Sequence, residues 1–228
     1  MAKGVQIGRA WLVPRLGRFV KRFPGMSLRI KATTAAVDFE QEDIDAAIRL
    51  GRGGFEGIAA LELFGESLAA LASPAFIKQH SLRRPADLAK VPLLHDDSMR
   101  RSGRPPGWFE WFRAAGVAGL AKPKSARDLH FDDGNLVLQA ATSGCGVALG
   151  RIAYAAEDIA AGRLRIVCQP SLPMDLRYFL LIPESRTELS TVVSLRSWLL
   201  SEAAEFDRSM QAILKQRSPV APIRSVSR

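Results

Sequence analysis

Three histidines, two cysteines and the paired aspartates Asp132 and Asp133 are the residues of this 228-residue chain whose chemistry stands out. His80, His95 and His130 are isolated from one another. His95 beside Asp96, or His130 near Asp132, could form an acid–base pair, but a solvent-side or hydrogen-bonded structural histidine is the simpler account of each. Cys145 follows a helix end, where the local field disfavours a thiolate, and reads as an inert small residue. It and Cys168 have neither metal-ligand spacing nor the numbers for a disulfide framework. The glycines of Gly144-Cys145-Gly146 invite a dinucleotide reading. That fingerprint should follow a strand and open a helix, and these glycines follow a helix and precede a strand. There is no GxxxxGK[ST], GxSxG or HExxH. No catalytic residue, metal ligand or cofactor is therefore assigned, and an enzyme is the least supported class.

The stretch from Asp128 to Arg151, DLHFDDGNLVLQAATSGCGVALGR, is organised as strand end, acidic corner, helix, glycine stop and buried strand. Asp132 or Asp133 can accept hydrogen bonds from the free N–H groups of a helix starting near Gly134. Leu136, Leu138, Ala140 and Ala141 give that helix an apolar side. Gly144 sits where a left-handed residue is wanted, and Val147-Ala148-Leu149 reads as buried strand. A helix start just past a strand's carboxyl end is where open α/β sheets bind small molecules. One more packing unit is the plainer reading of the same residues.

The flanking elements follow from spacing. Trp11, Leu12, Leu16, Phe19 and Val20 fall at helical spacing, with Pro14 in a first turn and Pro24-Gly25 as the stop. Leu28 and Ile30 alternate with polar residues as a half-buried strand would. Thr33-Thr34-Ala35-Ala36 is a small hydroxyl-rich turn. Ala46-Ala47-Ile48, then Ile58 to Leu63 and Leu68 to Leu71, read as strands. Ser73 can cap a short helix with Pro74 at its first position, and Pro85-Ala86-Asp87-Leu88 starts another before the strand Pro92 to His95. Trp108-Phe109-Glu110-Trp111-Phe112 opens an aromatic helix whose four rings are core. Further on, a helix near Ile152 to Ala161 stops at Gly162, and strands run over Leu164 to Cys168 and Leu176 to Ile182. A long helix spans Glu188 to Phe206, with Val192, Leu195, Leu199 and Ala203 on one stripe. Alternating strands and helices predict an α/β fold with largely parallel sheets. Crossing points near Ala70 and Pro170 predict two lobes with a cleft between them.

Composition limits the classes. At 47% hydrophobic and 24% charged, the chain matches a soluble globular protein. No apolar run approaches the ~18 residues of a membrane span, and no leader pattern is read at the N-terminus, so the expected compartment is the cytoplasm. The net charge of +9 is concentrated before Asp38 and at the C-terminus. Those bases are scattered singly among apolar residues without stacking aromatics, which favours a solvated helix face over a nucleic-acid surface.

Five segments then occur together in order: Trp11-Leu12-Val13-Pro14-Arg15-Leu16-Gly17-Arg18-Phe19; Val37-Asp38-Phe39 with Asp43-Ile44-Asp45-Ala46-Ala47-Ile48-Arg49; Leu71-Ala72-Ser73-Pro74-Ala75; Leu93-Leu94-His95-Asp96; and Phe131-Asp132-Asp133 with Leu138-Gln139-Ala140-Ala141 and Gly144 to Gly150. In that order and spacing the chain resembles the effector-binding domain of LysR-type transcriptional regulators, in the branch typified by the glycine-cleavage-system activator. The resemblance runs from about Trp11 to Ala204.

It implies a two-lobed fold like the type 2 periplasmic binding proteins, with a hinge. Lobe I would comprise residues 1–71 with 171–214, lobe II residues 72–170, and 215–228 a disordered basic tail. It also implies a small effector in the cleft and pairing of the domains in a homodimer or tetramer. Carried onto matching positions, the effector contacts are Thr33, Thr34, Arg49, Phe131, Asp132 and Asp133. Arg49 could hold a carboxylate in a bidentate way, and Asp132 or Asp133 an amine, which together suit an amino-acid-like zwitterion. Two departures stand out. Nothing matches the N-terminal winged helix-turn-helix through which such regulators contact DNA. The strand and loop expected before the Trp11 helix also have only residues 1–10 to form them. The reading is thus a ligand-sensing regulatory domain of the cytoplasm, with no membrane partner. The alternative is a solute-binding protein that feeds transport of a small anionic or amino-acid-like ligand, against which the absence of a leader pattern counts.

Overall fold

Two long strands carry the architecture of the computed structural model, which describes residues 7–33, 35–99, 106–117, 119 and 127–215. In chain order the elements are a π-type turn at Gly8–Leu12, a 3-10 turn at Val13–Arg15 and helix α1 at Leu16–Arg22. Strands β1 at Ala47–Gly51 and β2 at Ile58–Ala72 follow, then helices α2 at Pro74–Gln79 and α3 at Pro85–Leu88. Next come β3 at Leu93–Asp96, a 3-10 turn at Asp97–Met99, α4 at Trp108–Ala114, β4 at Leu129–Phe131, α5 at Gly134–Thr142, β5 at Val147–Arg151 and α6 at Ile152–Ala160. The chain ends with β6 at Arg165–Ile166, β7 at Leu172–Pro183, a 3-10 turn at Glu184–Arg186 and α7 at Ser190–Lys215.

These strands form one seven-stranded sheet in the order β1-β7-β2-β5-β3-β4, with β6 also against β2. Between Ile58 and Leu68, β2 pairs with β7. From Leu68 to Ala72 it pairs instead with β5 and β6. One half-sheet is therefore β1, β7 and the start of β2, and the other is the end of β2 with β5, β3 and β4. This corrects the expectation of largely parallel sheets. Every pairing made by β2 and β7 is antiparallel, and only β3–β4 and β3–β5 are parallel, because the two crossing strands run against their neighbours.

Continuity is the second correction. Ile58 to Leu63 and Leu68 to Leu71 are parts of a single strand, whose register shifts twice, between Glu62 and Phe64 and between Gly65 and Ser67. Such bulges bend a strand and tighten its twist without ending it. Leu28 to Lys31 is not a strand at all. Its alternation is strand-like, but a strand exists only through a neighbour's hydrogen bonds, and among the described residues β1 has β7 as its one ladder partner. The strand expected over Leu164 to Cys168 shrinks to two residues, and the last helix runs on to Lys215 because Met210 continues its buried stripe. Residues past Lys215, where a tail was expected, lie outside the described ones.

Aromatic packing fixes the helices. Trp11 lies 5.1 Å from Phe64 on β2 and 6.2 Å from Phe206 on α7, and Phe19 stacks edge-on to Trp198 at 5.0 Å. That burial holds the N-terminal turns against β2 despite Pro14. In the other half, Trp108, Trp111 and Phe112 are buried together, whereas Phe109 is exposed, so three of the four rings are core. Trp108 Nε1 donates to the Leu94 carbonyl and Trp111 Nε1 to that of Pro170. Ser73 caps α2 by accepting from the Phe76 N–H, and Gly144 and Gly162 adopt φ of +77° and +70°, where a Cβ would be strained.

Candidate functional site

The corner at 131–134 is built by three local choices. Phe131 ends β4 opposite Asp96 of β3. Asp132 is exposed, and Asp133 is the residue that caps α5, its Oδ1 accepting from the Asn135 N–H at 2.7 Å. Gly134 follows because nothing larger fits: a Cβ there would lie 2.5 Å from Arg151 Nη2 and 2.8 Å from Asp96 Oδ2. Behind this start, α5 buries Val137, Leu138 and Ala141, while Leu136, expected on the apolar side, is exposed.

Arg49 is placed by β1 and is only 4% exposed. Its Nη1 donates to the Thr33 carbonyl at 3.3 Å and its Nη2 to that of Ala35 at 3.0 Å. Thr33 Oγ1 in turn accepts from the Ala35 N–H. Burial pulls the Arg49 pKa down and Glu42 opposes it. Two of five guanidinium N–H groups thus hold the threonine turn in place, and Thr34 lies outside the described residues. No described hydrogen bond or ion pair joins this group to Phe131, Asp132 or Asp133. Two cavities open elsewhere: one of about 710 Å³ beside Val37, Phe39, Gly57 and Pro183, and one of about 170 Å³ beside Glu66, Ile152 and Met210. Neither is lined by Arg49 or the 131–133 corner.

Between the two half-sheets lies a buried polar chain that the sequence reading missed. Asp96 Oδ2 accepts from Arg151 Nη2 at 3.1 Å, and Arg151 Nη1 donates to the Tyr154 hydroxyl at 2.8 Å while its guanidinium covers the Tyr154 ring at 3.9 Å. Tyr154 and Tyr178 share a hydrogen bond. The Tyr178 hydroxyl donates to Glu66 Oε2 at 3.1 Å, and Glu66 Oε1 accepts from the N–H groups of Ser67 and Ala153. Arg151 is 2% and Glu66 3% exposed. Burial raises the Glu66 pKa, with Arg151 opposing. For Arg151 burial acts to lower the pKa, but Tyr154, Tyr178, Asp96 and Glu66 raise it overall. Burial pushes Tyr154 up to about 12 and Tyr178 well above its ordinary value, so neither phenol is a base near neutral pH. The available signal was a glutamate, an arginine and a tyrosine each set within an apolar strand run, where a polar group needs a partner.

The histidines find other partners than those expected. His95 faces Asp128 rather than Asp96, and His130 faces Asp97 rather than Asp132. Cys145 is exposed and free; Cys168 is buried, which with Asp87 pushes its thiol up to about 12. Among the described residues no group of three or more His, Cys, Asp or Glu could hold a metal ion, and no helix is long and apolar enough to cross a membrane.

A sheet divided between two halves by long strands that run against their neighbours defines a two-lobed α/β domain of the periplasmic-binding-protein type. Residues 4–204 match the LysR substrate binding domain, and the chain belongs to that family. It is 35% identical over 195 residues to the glycine cleavage system transcriptional activator of Escherichia coli strain K12, covering 85% of this chain and 61% of that protein. To the HTH-type transcriptional activator AmpR of Pseudomonas aeruginosa it is 37% identical over 194 residues, covering 85% and 62%. The chain therefore spans about three fifths of the length of these relatives. Its fold matches the effector domain of Pseudomonas aeruginosa AmpR with a TM-score of 0.70 at 34% identity, over 90% of this chain and 95% of that one. The AmpR effector binding domain of Citrobacter freundii matches with a TM-score of 0.67 at 25% identity, over 88% and 94%. The chain is a LysR-type effector-binding domain, a reading these relatives favour over a transport protein.

Proposed function

We propose that this domain binds a small amino-acid-like effector between its lobes and passes the event on through the geometry of a homodimer or tetramer. The observation that carries the reading is the fold match to the AmpR effector domain over nine tenths of the chain. In this reading lobe I is residues 1–71 with 171–214 and lobe II is 72–170, consistent with the switch of β2 from β7 to β5 at Leu68. Arg49 offers its remaining N–H groups to the effector carboxylate, and Thr33 and Thr34 are the other effector contacts proposed for this lobe. Phe131, Asp132 and Asp133 receive the amine from the other side. The effector acts by its differential affinity for closed and open lobes. The domain is not an enzyme. It works in the cytoplasm, and contact with DNA is made by a winged-helix segment outside this sequence.

Calorimetric titration with each of the twenty amino acids tests this. At least one is expected to bind, and Arg49→Ala is expected to weaken that binding by about tenfold or more, the loss of one charge-assisted pair. If an amino acid binds Arg49→Ala and Asp133→Asn as tightly as the wild type, its site lies elsewhere. If none binds, the amino-acid reading fails.

A further inference from the structure

The outer edge of the second half-sheet carries a cluster that the effector reading leaves unused. β3 and β4 run parallel with His95 directly opposite His130. The two rings stack, with centroids 4.2 Å apart and planes 14° from parallel. Each ring meets one carboxylate. His95 Nε2 lies 3.6 Å from Asp128 Oδ2, and His130 Nδ1 lies 3.2 Å from Asp97 Oδ2. Asp128 is anchored through Oδ1, which accepts from the Leu93 N–H, while its Oδ2 and His95 Nε2 are buried without a hydrogen-bond partner. The other charged groups nearby are the exposed Arg127, before Asp128, and the Asp96–Arg151 pair, whose Asp96 side chain alternates to the other face of β3. On the far side of β3, β5 sets only Val147 and Ala148 opposite it.

This is not a metal centre: the nitrogens of parallel rings aim at separate carboxylates and do not converge. With both rings protonated, two like charges would stand about 4 Å apart, one on the exposed His130 and one on the half-buried His95. β4 is three residues long and, among the described residues, its ladder partner is β3, so the stack adds to that attachment.

We propose that the His95–His130 stack is a proton-operated clasp: it holds β4, and the Phe131–Asp133 corner that follows, against β3 while at most one ring is charged, and frees that edge when both are. Burial, and then His130, pull the His95 pKa below 6.5, with Asp128 and Asp97 opposing. A histidine with a depressed folded-state pKa contributes stability that is complete above its unfolded value and is lost as pH falls through the folded one. The clasp thus loosens below about pH 6.5.

Amide hydrogen exchange on the whole chain without ligand, corrected for intrinsic exchange at each pH, reads the clasp independently of any effector. From pH 7.5 to 5.0, protection of the Leu129–Phe131 amides is expected to fall about tenfold or more relative to Tyr178–Leu180 in the central strand. In His130→Asn, an exposed position where the fold is kept, the relative fall is expected to be under about threefold. His95→Asn is the second variant and is expected to behave likewise. Any other pattern, such as pH-independent protection in the wild type or an equal fall in His130→Asn, overturns the proposal.

Discussion

Glu66→Ala is the substitution that most severely tests the buried polar chain between the lobes. The Glu66 carboxylate satisfies the Ser67 and Ala153 N–H groups and the Tyr178 hydroxyl. Two of these donors, Ala153 N–H and the Tyr178 hydroxyl, are buried. Leaving a buried donor unpaired costs about 1–3 kcal/mol, so the two together predict a loss of ~2–6 kcal/mol. The cavity beside Glu66 gives water a route to part of the vacated space, which favours the lower half of that range. Even so, the loss is a large fraction of the ~5–15 kcal/mol by which domains are stable. Glu66→Gln keeps the shape and the Oε1 acceptor, and its amide can donate to the Tyr178 oxygen. It is expected to cost less than half as much. Urea unfolding followed by circular dichroism measures both. A Glu66→Ala loss below about 1 kcal/mol, or equal losses in the two variants, would refute the claim that hydrogen bonding at Glu66 ties the lobes together.

Other expectations follow from the same geometry. Because burial raises the Glu66 pKa, the wild type should lose stability as pH rises from the unfolded value of 4.5 towards the folded one, and Glu66→Gln should lack that loss; parallel slopes in the two would contradict the shift. Gly146→Ala would set a Cβ 2.5 Å from the Pro92 carbonyl oxygen. Backbone must move to relieve that contact, so ~1–3 kcal/mol should be lost, visible as a lower melting temperature. Ser73→Ala removes the cap of α2 and should cost ~0.5–2 kcal/mol in the same assay, while the adjacent β2–β5 pairing stays intact.

Features set by neighbours in sequence were legible from the residues alone. Ser73-Pro74, Gly144 and Gly162 mark helix ends because capping and positive φ are local demands, and the helices they bound fall where expected. The hinge region was legible in part. Leu68 to Leu71 was recognised as strand, but its fusion with Ile58 to Leu63 depends on bulges accommodated by β7, more than a hundred residues away in sequence. Leu28 to Lys31 shows the converse, a strand pattern without a strand, because alternation describes one face and cannot supply a ladder partner. Antiparallel direction was equally invisible, being decided by the return of the chain through β7. At the candidate site, Arg49 and the 131–133 corner were named as effector contacts through resemblance; capping by Asp132 or Asp133 was legible from the residues, and the structure singles out Asp133 and adds the turn-stapling role of Arg49. The Asp96–Arg151–Tyr154–Tyr178–Glu66 chain went unread because its members, scattered from 66 to 178, meet only across four strands and a helix.

The central claim, an effector held between Arg49 and the 131–133 corner, is tested most directly by backbone and arginine side-chain NMR of the whole chain. The titrant is the amino acid that binds most tightly in calorimetry. The account predicts saturable shifts at the Arg49 Nε–H and at the amides of Phe131 to Asn135 with one shared dissociation constant. Shifts confined to one side, or centred on the cavity beside Val37 and Pro183, would contradict it.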